Sequence, residues 1–162
     1  MYDYDLVVIG SGPAGQKGAI AAAKLGKRVA VVDRREMTGG VCVHTGTIPS
    51  KTLREAILYL SGFRQRTFYG KDYVVSDRIS ARDLAHRVQR VVEREVEVVH
   101  HQLRRNGVAS LIGTAHFVDA HTLEVEPEAA HPFRVSADHV LIACGTRSAC
   151  TPDIPLDGRF IS

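Results

Sequence analysis

The chain has 162 residues, which is enough for one α/β domain with a core and too few for two. Hydrophobic residues make up 44% and charged residues 24%, with a net charge of +3, as in an ordinary globular protein. The basic residues are dispersed, so no nucleic-acid surface is expected, and no apolar run reaches the roughly 20 residues of a membrane span. Three cysteines are too few for a disulfide framework, and no N-terminal signal is visible, so we expect a cytoplasmic protein.

The first motif is a glycine turn, Gly10-Ser11-Gly12-Pro13-Ala14-Gly15. An apolar run at 6–9 precedes it, and a small-residue segment of helical character follows, as in βαβ units that bind dinucleotides. Gly10 permits the sharp turn, Gly12 lets the backbone approach a pyrophosphate, and Gly15 lets the helix lie close to the strand. The pyrophosphate would then meet the positive end of the helix dipole.

A second strand and an acidic residue follow at the expected distance. Residues 28–32 are predicted to form a buried parallel strand, and Asp33 stands 18 residues after Gly15. An acid at this position binds the adenosine ribose hydroxyls and repels a 2′-phosphate, so the unit favours FAD or NAD over NADP. The alternative is a glycine turn in an α/β protein that binds no nucleotide.

The remaining elements complete a fold prediction. Helices are expected near 13–25, 50–60 and 80–105, the first capped by Gly26, and the last by Ser80 and Asp83 with a hydrophobic staple of Ile79 and Leu84. Short strand-like runs at about 108–136 predict a small antiparallel β-meander, inserted before a buried strand at 139–143. We therefore predict a Rossmann-like, three-layer α/β fold whose parallel central sheet comprises 6–9, 29–32 and 139–143.

The order of these pieces resembles the flavoprotein disulfide reductase family, which includes glutathione reductase, dihydrolipoamide dehydrogenase and mercuric reductase. The resemblance covers nearly the whole chain. It is carried by GSGPAG, by GGVCVHTGTIPSK at 39–51 and by LIACGTR at 141–147. It implies that 1–162 is the N-terminal part of an FAD-binding domain, without the NAD-binding and dimerisation domains of the family.

The chain departs from this family at its most specific motif. Redox-active members have two cysteines in a CxxxxC spacing, whereas here Cys42 is followed at the second position by Thr47. Because threonine cannot form a disulfide, no dithiol relay is expected. In this departure the chain resembles one branch of the family, the soluble pyridine nucleotide transhydrogenases. These enzymes pass a hydride from NADPH through the flavin to NAD. The alternatives are a dihydrolipoamide dehydrogenase-like or mercuric reductase-like flavoprotein, and a non-catalytic nucleotide-binding module.

The resemblance also assigns FAD-binding roles by position. Around the pyrophosphate it places Ile9, Gly10, Gly12, Pro13, Ala14 and Gly15, and at the adenosine ribose Val32 and Asp33. Beside the ribityl chain and flavin ring it places Gly40, Val41, Cys42, Thr47 and Lys51. Against the adenine it places Gly113, Thr114 and Ala115, and near the ribose and pyrophosphate Ala143, Cys144 and Gly145.

Other roles are expected to lie outside the chain. No complete catalytic set and no metal site are expected in it, and His44, His116 and His121 are interpreted as structural. The resemblance implies a parent enzyme that uses NAD and NADP as substrates and forms homo-oligomers through a C-terminal domain. Without those domains, we expect the 162-residue chain to retain FAD weakly or not at all.

Overall fold

A computed structural model describes residues 1–34, 37–70 and 80–146, apart from the side chain of Thr67. Within these ranges lie six strands and five helices. In chain order they are β1 (Tyr4–Ile9), α1 (Pro13–Lys24), β2 (Val29–Asp33), α2 (Gly40–His44), α3 (Thr47–Leu60), α4 (Arg66–Tyr69), α5 (Ala81–Arg105), β3 (Ala109–Ile112), β4 (Thr114–Phe117), β5 (Thr122–Glu126) and β6 (Phe133–Ile142). Ile79 of the expected staple, Arg147 and Cys150 lie outside the described residues.

The strands form one sheet in the order β3-β2-β1-β6-β5-β4. Strands β3, β2, β1 and β6 run parallel, with Val7 of β1 opposite Ala30 on one side and Val140 on the other. Strands β4, β5 and the first half of β6 are antiparallel. The predicted Rossmann-like α/β fold with a parallel central sheet is confirmed.

Different layers cover the two faces of the parallel sheet. One face packs against α1 and α5 in a buried cluster of Val8, Ala19, Val29, Val31, Val99, Leu103 and Val108. The other packs against the antiparallel strands in a cluster of Val7, Ala30, Val32, Leu123, Val125, Val135 and Ala137. Neighbouring residues of one strand enter opposite clusters because side chains alternate along a strand. Each fully buried valine contributes about 1.5–3 kcal/mol, so both layers hold the sheet.

The position of β3 corrects the sequence analysis. The run 108–136 was predicted to be an antiparallel meander, but β3 pairs in parallel with β2, with Ala109 opposite Ala30. The antiparallel part begins only at Thr114. As an edge strand, β3 alternates half-buried and exposed residues, unlike the continuously apolar inner strands of a parallel sheet. This alternation is the pattern typical of a meander, which explains the wrong prediction.

A second correction concerns β6. The runs 133–136 and 139–143 were predicted as separate strands, but Phe133–Ile142 is one strand. Its first half pairs with β5, and from Ala137 onward it pairs with β1. Its end is also less buried than predicted, since 63% of the Ile142 surface is exposed.

A side chain from the N-terminus bonds to β6 at the point where the strand changes partner. The carboxylate of Asp3 accepts hydrogen bonds from the amide and hydroxyl of Ser136, at 2.8 and 2.7 Å. These bonds hold the pKa of Asp3 below its ordinary value. Asp3 thus fastens the start of β1 to the point where β6 leaves β5.

The caps of the two long helices follow the sequence. After α1, Gly26 takes a φ of +76°, and the amides of Gly26 and Lys27 donate to the carbonyls of Ala23 and Ala22, which is a Schellman cap. Before α5, the Ser80 hydroxyl accepts from the Asp83 amide, and the Asp83 carboxylate accepts from the Ser80 amide. Both caps were predicted and are confirmed.

Three helical details were not predicted. Neither of the short helices α2 and α4 was predicted, and α3 begins at Thr47 rather than near residue 50. Among the described helices, none has both the length and the apolar character needed to cross a membrane.

Candidate functional site

A cleft of about 670 Å³ opens at the carboxyl ends of β1, β2 and β6. Ligands of open α/β sheets bind at this edge, at the topological switch point where the strand order reverses. Here that point is at β1, which lies between β2 and β6. The cleft is lined by Ile9, Gly10, Gly12, Pro13, Ala14, Val32, Asp33, Arg34, Met37, Gly40, Val41, Cys42, Gly113, Thr114, Ala115, Phe117, Ile142, Ala143, Cys144, Gly145 and Thr146.

Gly10 shapes the turn between β1 and α1. Its φ is +103°, and a Cβ at this position would collide with the backbone carbonyl of Ala143. The turn is held on both sides, since the Gly10 amide donates to the Val32 carbonyl and the Ala143 amide donates to the Ile9 carbonyl, both at 2.8 Å. Gly10 is therefore required by the sharp turn, as predicted, and also by the close approach of the segment after β6.

The N-terminus of α1 faces the same cleft. The first amide bonded within the helix is that of Gln16, which donates to the Gly12 carbonyl at 2.9 Å. The amides of Ala14 and Gly15 precede it and have no acceptor one turn earlier in the helix. Pro13 at the first position has no N–H to satisfy. This end of α1 therefore presents backbone donors and the positive end of its dipole.

Gly15 acts by packing and does not line the cleft. A Cβ on it would overlap the Gly10 carbonyl oxygen and approach the Val8 side chain at 3.3 Å. The predicted role of Gly15, to let α1 lie close on β1, agrees with this position. Its place among the cofactor contacts stays a prediction.

Asp33 ends β2 and is half buried at the cleft. Its Oδ2 accepts from the amide and the hydroxyl of Ser11, both at 2.6 Å. Its Oδ1 accepts from the Arg34 amide at 2.8 Å. The hydrogen bonds fix the orientation of a carboxylate at the position predicted to meet a ribose.

The start of α2 forms another wall. Gly39 and Gly40 have positive φ angles of 92° and 67°, and the Gly39 amide donates to the Ser11 hydroxyl at 3.0 Å. From there the chain enters α2, on which Val41 and Cys42 line the cleft. The structure therefore brings the second predicted segment against the glycine turn.

Thr47 and Lys51 do not join this lining. Both are exposed and lie in the first turn and a half of α3. They follow the turn that ends α2, in which the amides of Thr45 and Gly46 both donate to the Val41 carbonyl. Their contact with a flavin stays a prediction.

The far wall comes from two segments that follow strands. Gly113 donates its amide to the Asp33 carbonyl at 3.0 Å, and it leads into Thr114 and Ala115 on β4. Ala143, Cys144 and Gly145 follow β6. In total, sixteen of the nineteen residues predicted to bind the cofactor line this one cleft, and Gly15, Thr47 and Lys51 do not.

Five lining residues were missed: Arg34, Met37, Phe117, Ile142 and Thr146. Four of them carry a signal in the sequence. Arg34 directly follows Asp33, and Phe117 lies two residues after Ala115, so it faces the same side of β4. Ile142 and Thr146 lie inside the LIACGTR motif, although no role was assigned to them, and Met37 carries no signal.

Among the described residues, the carboxyl groups with a lowered pKa lie away from the cleft. Hydrogen bonds lower the pKa values of Asp3, Asp5, Asp83 and Asp119, none of which lines it. Two histidines bond to backbone carbonyls, His44 through Nε2 to Thr38 and His121 through Nδ1 to Ala137. No cluster of three or more His, Cys, Asp or Glu side chains suited to a metal occurs in the described ranges.

The chain is similar to several known proteins. Residues 4–160 match the family described as pyridine nucleotide-disulphide oxidoreductase. The chain is 55% identical over 158 residues to a soluble pyridine nucleotide transhydrogenase of Mycobacterium bovis (strain BCG / Pasteur 1173P2), covering 97% of this chain and 34% of that protein. It is 39% identical over 153 residues to a soluble pyridine nucleotide transhydrogenase of Erwinia tasmaniensis, covering 94% of this chain and 33% of that protein.

A solved structure shares the fold. The HOCl-induced flavoprotein disulfide reductase RclA from Escherichia coli, in a Cu(II) complex, superposes with a TM-score of 0.74 at 26% identity. The match covers 98% of this chain and 32% of that one. The chain thus spans about a third of the length of the relatives it matches.

Proposed function

The chain belongs to the pyridine nucleotide-disulphide oxidoreductase family, and on that premise we propose that its cleft binds FAD. The pyrophosphate would lie at the N-terminus of α1, the ribose at Asp33 and the adenine against Gly113–Ala115. The observation that carries this proposal is the meeting of a glycine turn, a helix N-terminus and an oriented carboxylate in one cleft.

The residues present fit the dinucleotide part of this cofactor. The amide of Ala14, which lines the cleft at the start of α1, would donate to a pyrophosphate, and Gly12 has no Cβ to hold it away. The carboxylate of Asp33 accepts from a ribose hydroxyl and repels a 2′-phosphate. The size and largely apolar lining of the cleft suit an adenosine.

For a longer protein that contains this chain, we propose FAD-dependent hydride transfer between NADPH and NAD. FAD supplies the group that accepts and returns the hydride. The residues of this chain would hold and orient the cofactor, with Thr47 and Lys51 as contacts of the flavin ring. The names of the relatives support this activity, and so does Thr47 at the position where a disulfide reductase has its second cysteine. Homo-oligomerisation and the NAD and NADP sites belong to the same proposal.

Competitive titration of the 162-residue chain, at ligand concentrations high enough to detect the weak binding expected of this chain alone, tests the cleft. We expect FAD and ADP to compete for one site, and riboflavin, which lacks the ADP part, not to compete. Removal of the charge in Asp33→Asn is expected to weaken ADP binding roughly tenfold, while Asp138→Asn on the exposed surface leaves it unchanged. Competition by riboflavin in the absence of any effect of ADP would contradict the proposed placement.

Steady-state assays of the longer protein test the activity. We expect NADPH-dependent reduction of an NAD analogue, and no reduction of lipoamide or glutathione disulfide, because the pair of thiols is incomplete. Disulfide reduction at a comparable rate would favour the reductase alternative.

A further inference from the structure

Ser11 carries the polar side chain of the glycine turn, is only 2% exposed and makes several hydrogen bonds. Its amide and hydroxyl both donate to Oδ2 of Asp33. Its hydroxyl oxygen accepts from the Gly39 amide, and its carbonyl accepts from the Gln16 side chain at 2.7 Å. One small side chain therefore joins the turn, the end of β2 and the start of α2.

These bonds determine what the carboxylate of Asp33 can still accept. An ionised carboxylate has about four acceptor positions. Two are used by Ser11 and one by the Arg34 amide, which leaves about one for a ligand. The carboxylate cannot turn away from the cleft without breaking the bonds to Ser11.

The same hydroxyl connects Asp33 to α2. Its proton points to Asp33 while its oxygen receives the Gly39 amide, so the two bonds polarise each other. Gly39 leads directly into Gly40 and Cys42, which line the cleft on the side of the predicted ribityl chain. A change in the position of Asp33 would therefore alter the hydrogen bond that holds the start of α2.

We propose that Ser11 is a positioning residue that sets nucleotide selectivity in this cleft. It directs the carboxylate of Asp33 at the ribose 2′-hydroxyl and links the ribose end of the site to α2. This proposal rests on the proposed binding of an adenosine dinucleotide, and it adds the residue that makes Asp33 selective.

The test compares two ligands on the 162-residue chain. Affinities for adenosine 5′-phosphate and adenosine 2′,5′-bisphosphate are measured by NMR titration of the isotope-labelled chain. The variants are Ser11→Ala, Ser11→Thr, which keeps the hydroxyl, and Ser110→Ala as an exposed control on β3. Exchange of the Gly39 amide with solvent is followed in each variant without ligand.

We expect Ser11→Ala to lower the preference for the 2′-hydroxyl ligand roughly tenfold and to speed exchange of the Gly39 amide. Ser11→Thr should retain most of the preference, and Ser110→Ala all of it. An equal loss of affinity for both ligands in Ser11→Ala would overturn the proposal, since it would show a merely structural role. So would an unchanged ratio, or unchanged exchange at Gly39. Failure of the unmodified chain to bind either ligand, even at concentrations that detect weak binding, would instead overturn the proposed placement of the adenosine in this cleft, and this inference with it.

Discussion

Gly12 and Gly40 are in backbone contact at one wall of the cleft, so that a Cβ added to Gly40 would lie 3.0 Å from the Cα of Gly12. One glycine precedes α1 and the other begins α2. Neither backbone can yield without moving the helix behind it. The contact therefore sets the distance between the glycine turn and the segment that carries Cys42.

Gly40→Ala should be more costly than its backbone angle alone explains. Alanine at a φ of +67° costs about 1–2 kcal/mol, and the contact with Gly12 adds about 1–3 kcal/mol. Gly107→Ala is the matched control, because Gly107 has a φ of +71° and open space around its Cβ position. Urea unfolding of both variants measures the difference. Equal free energies of unfolding would show that the Gly12 contact is not tight.

Gly15→Ala and Gly18→Ala should differ sharply although both lie in α1. A Cβ on Gly15 overlaps the Gly10 carbonyl, so we expect a loss of about 3 kcal/mol or more in the free energy of unfolding. A Cβ on Gly18 meets only the end of the Leu141 side chain, which is partly exposed and can rotate. The helical preference of alanine over glycine, about 0.5–1 kcal/mol, then offsets most of the cost. A large loss in Gly18→Ala would show that Leu141 is held in place.

Ser80→Ala should destabilise α5 by about 1 kcal/mol, because the substitution removes one half of the capping box. The pKa of Asp83, lowered mainly by its bonds to Ser80, should rise towards the ordinary value of 3.8. Unfolding and carboxyl titration by NMR measure the two effects, with Ser110→Ala as the neutral control. A lower stability without a shift of this pKa would point to a cause other than the cap.

Acidification should release the contact between Asp3 and Ser136. The folded-state pKa of Asp3 is below 3.8, so its contribution to stability is full above 3.8 and is lost as the pH falls through the lowered value. In Asp3→Asn this part of the pH dependence should be absent. The difference in Tm between the two proteins is therefore expected to shrink below pH 3.8. A constant difference down to the lowest pH would exclude this contact as its source.

Local signals in the sequence predict the centre of the site well. Gly10, Gly12 and Asp33 belong to one βαβ unit and all line the cleft, because short-range geometry is what a motif encodes. Their contacts with a cofactor stay predictions. The capping box of α5 was recognised for the same reason. These features depend on residues close together in the chain.

Features that depend on distant parts of the chain were harder to predict. The edge position of β3 gave it a half-exposed pattern, and the continuity of β6 depends on Tyr4 and Asp3, more than 130 residues away. The hydrogen bonds of Ser11 were also not predicted, since its partners Asp33 and Gly39 are separated from it by 22 and 28 positions. No pattern along the sequence reveals such bonds before the fold is known.

The double pairing of β6 has a consequence for how the chain acquires its structure during synthesis. The neighbour of β1 on one side is β2, which follows within about 20 residues, but on the other side it is β6, with Tyr4 opposite Ala137. The antiparallel strands pair through contacts that are close in sequence. The pairing of β6 with β1 can form only after residue 137 and the residues that follow it have left the ribosome. Until then one edge of the apolar strand β1 is unpaired, although Val7 and Val8 are fully buried in the complete fold. We therefore expect slow completion of the fold, and a nascent chain that is prone to aggregation until β6 has been made.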